Sequence, residues 1–113
     1  MWKMQMKKGD CMKIACENVI EHQDWLFCYA YVAGQGPLTG TRIMHAWNED
    51  EKYCFDFSNG RTIVCEKERY YKNAQIQEKD VAKQTYTQVC ELMLKTGKYG
   101  GWITGPNQIP MKQ

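Results

Sequence analysis

The chain has no apolar run of 18 residues, so no segment reads as a membrane-spanning helix. Its opening residues, Met1-Trp2-Lys3-Met4-Gln5-Met6-Lys7-Lys8, lack the apolar core of a secretory signal, and the expected location is the cytoplasm. No basic run of five residues occurs and the net charge is only +2, so the electrostatic footprint of a nucleic-acid binder is missing. There is no C-x2-C pair; Cys11 and Cys16 stand five apart, and the two histidines, His22 and His45, are far from each other. That spacing gives no zinc-ligand pattern. No internal repeat and no linker interrupts the chain. The expectation is a single domain with no metal or cofactor, no membrane and no nucleic-acid partner.

With 113 residues, the chain has enough apolar content for one modest core and too little length for two catalytic lobes. The cysteine number is even, but Cys28, Cys54 and Cys90 sit inside apolar runs, where free cysteine behaves as a small hydrophobe. A disulfide framework is therefore not expected.

Periodicity supplies the elements. Residues 2–6 alternate apolar and polar side chains as a short strand or arm. Asp10 suits an N-cap, and Cys11 to about His22 carries a wide apolar face, predicting a helix packed on a sheet. Trp25 to Ala33 is almost wholly apolar and reads as a central strand buried on both faces. Arg42–Asn48 and Tyr53–Ser58 form a hairpin across a four-residue loop, 49–52, and Thr62–Cys65 is a fourth strand after the Ser58-Asn59-Gly60-Arg61 turn. A short helix over Glu66–Ala74 and a short strand over Val81–Tyr86 follow. Thr87 then caps a helix over Gln88–Thr96, closed by Gly97, and Trp102 precedes a loose tail over 103–113. The predicted fold is α+β: an N-terminal helix on an antiparallel sheet with a C-terminal helix.

Three residues carry the chemical signal. A nucleophilic cysteine acts as thiolate, and the unpaired N–H groups and partial positive charge of a helix N-terminus favour that form. Cys11 stands at such a position, where the same N–H groups can hold an oxyanion, and Gly9 lets a substrate approach. A hairpin pairing Asn48 with Tyr53 sets His45 opposite Asp56, close enough for the carboxylate to orient the imidazole. Cys16, deeper in the helix, is the rival nucleophile and is read as core; His22, at the helix end, is read as structural.

Gly9-Asp10-Cys11, Gly34-Gln35-Gly36-Pro37, His45-Ala46-Trp47, Asp56-x-Ser58-Asn59-Gly60 and Tyr70-Tyr71 together resemble a set of small bacteriophage and bacterial proteins, over about residue 9 to Trp102. The His-Ala-Trp strand followed by an aspartate strand also resembles the papain-like and transglutaminase-like superfamily of cysteine hydrolases. That resemblance implies Cys11 as nucleophile, His45 as base and Asp56 as orienter. Gln35 becomes a candidate oxyanion donor and Trp47 a candidate substrate contact. The implied function is a cysteine hydrolase or acyltransferase acting on a protein or peptide. The alternative is a phage accessory protein that binds and inhibits a host defence protein in the host cytoplasm.

Overall fold

The computed structural model describes residues 10–34 and 36–98. The expected arm over 2–6, Gln35, Trp102 and the tail over 103–113 lie outside the described residues. Three helices are present: α1 (Asp10–Glu21), α2 (Lys67–Ala74) and α3 (Tyr86–Thr96). Five strands, β1 (Leu26–Ala33), β2 (Arg42–Glu49), β3 (Tyr53–Asp56), β4 (Ile63–Glu66) and β5 (Ala82–Gln84), form one sheet in the order β4-β3-β2-β1-β5. Every neighbouring pair is antiparallel, so the fold is α+β as the sequence predicts.

Alternation along β1 explains why that strand is apolar throughout. Phe27 and Tyr29 pack with Ala15, Cys16 and Val19 of α1 and Val89 of α3. Cys28, Ala30 and Val32 pack on the other side with Tyr70, Tyr71 and Ala74 of α2. Successive side chains of a strand point to opposite faces, so the sheet is covered on both. The strand is interior, between β2 and β5, whereas β2 takes the middle of the sheet.

Two local expectations change. The hairpin between β2 and β3 is tighter than a four-residue loop: Glu49 pairs with Cys54, and the Asp50 amide donates to the Tyr53 carbonyl at 3.0 Å. Asp50 Oδ1 also accepts from the amides of Lys52 (2.8 Å) and Tyr53 (2.7 Å), an Asx turn that closes the loop around Glu51 and Lys52. Asn48 therefore pairs with Phe55, two residues beyond the expected Tyr53. In α3 the N-cap is Thr85, not Thr87. Its hydroxyl accepts from the Gln88 amide and the Gln88 side chain accepts from the Thr85 amide, a reciprocal box that outcompetes a lone hydroxyl two residues on. Gly97 ends the helix in the left-handed conformation at φ 71°, as expected.

Asn48, only 1% exposed, sets how α1 lies on the sheet. Its side-chain amide donates to the carbonyls of Ala15 (2.9 Å) and Leu26 (3.1 Å), and its oxygen accepts from Asn18 at 3.0 Å. A buried polar side chain with all three bonds made is expensive to misplace. The staple fixes α1 lengthwise on β2, and one helical turn before Ala15 comes Cys11.

Candidate active site

The ladder between β2 and β3 comprises Asn48–Phe55 and Glu49–Cys54. Next to it, α1 packs against both β2 and the 3-10 turn Ser58–Gly60 that follows β3. His45, Trp47, Glu49, Cys54 and Asp56 share the α2 face of the sheet, because Glu49 pairs with Cys54 and side chains repeat every second residue. The register carries Asp56 opposite Trp47 and not His45, so the expected direct opposition is lost while the shared face of His45 and Asp56 survives. A shift of two residues keeps the face, whereas a shift of one would have lost it.

His45 Nε2 and Asp56 Oδ2 lie 2.7 Å apart, and both residues are buried. Cys11 stands close enough to the imidazole for its side chain to help raise the ring's pKa. Cys11 is the second residue of α1, where backbone N–H groups have no partner within the helix. Burial disfavours the imidazolium, but the bonds to Asp56 and Cys11 and the negative charges of both outweigh it and push the His45 pKa up to about 9. Histidine at this position therefore keeps its proton at neutral pH.

Asp56 is the hub of the site. Burial works against its charge, yet the His45 bond and charge, the Tyr70 hydroxyl and Ser58 together hold its carboxyl below the usual carboxylate range. The Tyr70 hydroxyl donates to Oδ2 at 2.8 Å and the Ser58 hydroxyl to Oδ1 at 2.9 Å. Three donating side chains on one buried carboxylate, with the Ser58 amide at 3.4 Å, fix its orientation and so fix the imidazole. Tyr70 and Ser58 belong to segments the sequence analysis marked as a helix and a turn, without assigning either a role. Their signal was chemical only, because hydroxyls on a helix and in a turn become partners of Asp56 once α2 packs across the sheet.

The other candidates divide. Cys16 is fully buried, its thiol pushed up to about 11 by burial first and by Glu17, and it contacts Met93 Sδ at 3.5 Å. It is a core thiol. The His22 ring stacks on Trp25 at 4.1 Å, and Trp25 on Phe55 at 4.0 Å, a packing role. Trp47 is 1% exposed, packs on Tyr70 and donates its indole N–H to Glu49 Oε2 at 3.0 Å, a core position. An indole alternating with inward-facing neighbours on the middle strand is drawn into the core. Gln35, the proposed oxyanion donor, lies outside the described residues.

Glu49 anchors a second buried network on the same face. Oε2 accepts from Trp47, Tyr71 and Cys54, while Oε1 pairs with Lys83 at 3.0 Å and Lys67 at 3.7 Å. It ties β2 and β3 to α2 and β5 and supplies no group to His45. Among the described residues no group of three histidine, cysteine or acidic side chains is placed to hold a metal ion. All six cysteines are free thiols.

His45, Asp56 and Tyr70 line one side of a cleft of about 390 Å³. The sheet, α2 and the Gly36–Leu38 turn enclose it. Among the described residues no helix is long and apolar enough to cross a membrane. Comparison with protein-family models, curated proteins and solved structures finds no match for the chain.

Proposed function

We propose that the protein is a cysteine hydrolase or acyltransferase whose nucleophile, base and orienter are Cys11, His45 and Asp56. One observation carries this reading: a single imidazole is bonded through Nε2 to a buried carboxylate at 2.7 Å, stands beside a thiol in the first turn of a helix, and forms part of a cleft wall. Nucleophile, base and orienter are then joined in one relay.

The chemistry follows from the arrangement. With His45 already holding the proton, the Cys11 sulfur attacks a carbonyl carbon as the thiolate. The unpaired N–H groups at the start of α1 stabilise the oxyanion. His45 returns its proton to the leaving amine, alcohol or thiol, and a thioester to Cys11 remains. Water or an acceptor amine, deprotonated by His45, releases the acyl group and regenerates the thiolate beside the protonated ring. Asp56, held by Tyr70 and Ser58, keeps the ring oriented and favours its protonated form.

The test is site-resolved iodoacetamide labelling against pH, read by mass spectrometry in wild type and His45→Ala. Cys11 is expected to label fast at pH 6 while the other five cysteines do not, and His45→Ala is expected to slow it at least tenfold, the size of a typical base contribution or more. A Cys11 that labels no faster than an ordinary thiol removes the enzymatic reading and favours a binding role.

A further inference from the structure

The two edges of the sheet differ. β5 is three residues long and carries Lys83, and both shortness and lysine discourage a further strand. β4 forms the other edge, and its residues, Ile63-Val64-Cys65-Glu66, include neither lysine nor proline. Its pairing with β3 is continuous from Tyr53–Glu66 to Asp56–Ile63, so no bulge turns the edge away.

The ladder fixes which backbone groups of β4 face outward. The Lys67 amide donates to the Lys52 carbonyl at 3.1 Å. Bonds of an antiparallel pair recur at every second residue, so Cys65 and Ile63 also bond β3. Val64 therefore aims its N–H and C=O away from the sheet, and Glu66 its N–H. The Glu66 carbonyl belongs to the first turn of α2, for which Glu66 is the N-cap. Among the described residues nothing bonds the outward groups of Val64 or the Glu66 amide. The side chains of both residues lie on the face opposite α2, since Cys65 between them packs on the α2 side. Val64 is 52% exposed and sits across from Phe55, on which Trp25 stacks. Glu66 is exposed and makes no ion pair among the described residues. The edge thus presents unpaired backbone donors and acceptors, an aliphatic contact and, two residues on, a negative charge.

We propose that β4 binds an extended polypeptide segment of another protein as an added antiparallel strand, the segment carrying lysine or arginine and, two residues later, valine or isoleucine. The backbone of such a segment supplies the missing partners. Antiparallel direction follows the rest of the sheet and sets the basic residue opposite Glu66 and the aliphatic one opposite Val64. Both are favourable cross-strand pairs. The intervening side chain points to the α2 face, beside Cys65. A second copy of β4 fits less well, because it sets Thr62, Val64 or Glu66 opposite Glu66 and never a base. The inference does not rest on the reading of Cys11 and His45.

The test uses the full chain, NMR and the peptide acetyl-Thr-Arg-Thr-Ile-Thr-amide. In the unliganded protein the Val64 and Glu66 amides are expected to exchange with water at least about tenfold faster than those of Ile63 and Cys65. Half-saturation is expected at about 1 mM, the affinity of three exposed hydrogen bonds and one aliphatic contact. At about ten times that concentration, exchange at Val64 and Glu66 should slow by about tenfold. A peptide with N-methyl-isoleucine should not bind, because it lacks the donor to the Val64 carbonyl. N-methylation of the central threonine, whose N–H points away from β4, should be tolerated. Val64→Pro removes no ladder bond, so it should keep the fold and lose the peptide. Glu66→Lys leaves the edge backbone intact and should reverse the preference, taking acetyl-Thr-Glu-Thr-Ile-Thr-amide over the arginine peptide.

Four results overturn the proposal. The Val64 amide is already protected in the unliganded protein; the peptide moves no β4 amide; the N-methyl-isoleucine peptide binds as well as its parent; or Glu66→Lys leaves the preference unchanged. Self-association through β4, lost in Val64→Pro, would overturn the choice of partner. None of these results changes Cys11 labelling, so the active-site reading is decided separately.

Discussion

Replacing Asp56 by Asn should uncouple His45 from its carboxylate with little change in volume. In the wild type the imidazole rises from 6.5 to about 9, which corresponds to about 3 kcal/mol of preference for the charged form. Among the groups that raise it, the Asp56 bond comes first. Burial, which pulls the other way, is unchanged by the substitution, so His45 should fall well below its wild-type value. The sign of the stability effect follows. A group whose folded value is raised stabilises the fold fully below its unfolded value and loses that contribution as pH climbs through the folded value. His45 should therefore cost the wild type about 2 kcal/mol of unfolding free energy between pH 6 and pH 8. In Asp56→Asn that loss should almost vanish. Urea unfolding at the two pH values measures it, and an NMR titration of the ring protons reads His45 directly, with His22→Gln assigning the second histidine. An Asp56→Asn protein whose His45 still titrates near 9, or whose pH dependence matches wild type, would refute the reasoning.

Three further substitutions test the frame around the site. Glu49→Gln removes the buried anion that Lys67 and Lys83 share, leaving Lys83 with Glu78 alone, and should destabilise the fold by about 2 kcal/mol, read as a shift in urea midpoint, because the two lysines keep part of their solvent and one keeps a partner. Thr85→Ala removes the reciprocal cap of α3 and should cost about 1 kcal/mol by the same measurement, with no effect on Cys11 labelling. Gln75 sits in the left-handed conformation at φ 58° as the C-cap of α2, so Gln75→Gly should raise Tm, by relieving about 1 kcal/mol of backbone strain. A lower Tm in that variant would mean that the side chain contributes more than its backbone costs.

The candidate relay shows which parts of such a site a sequence makes visible. His45 and Asp56 could be placed together from two strand patterns and the parity of a hairpin, although the expected pairing was two residues out. Parity tolerated the error because side chains repeat every two residues. The true register depended on the Asp50 side chain folding onto the amides of Lys52 and Tyr53, a turn chemistry that shortens the loop. The Thr85 cap is legible as Thr-x-x-Gln, since both partners lie within one turn of each other, whereas Thr87 has no glutamine or glutamate three residues on. Tyr70 and Tyr71 were adjacent residues of an expected helix. Nothing local says that the first bonds Asp56 and the second Glu49, because that depends on where α2 crosses the sheet.

By itself, then, the sequence determined what depends on neighbours along the chain. That includes the helices and strands, the α+β class, the thiol in the first turn of α1, and the shared face of His45 and Asp56. The tertiary structure alone decided what depends on segments far apart in sequence. Asn48 locks α1 against β2 and brings Cys11 to His45. Tyr70 and Ser58 converge on the Asp56 carboxylate, Trp47 is committed to Glu49, and six elements line the cleft. Periodicity records which way a side chain points from its own element, but not which distant element fills the space it points into.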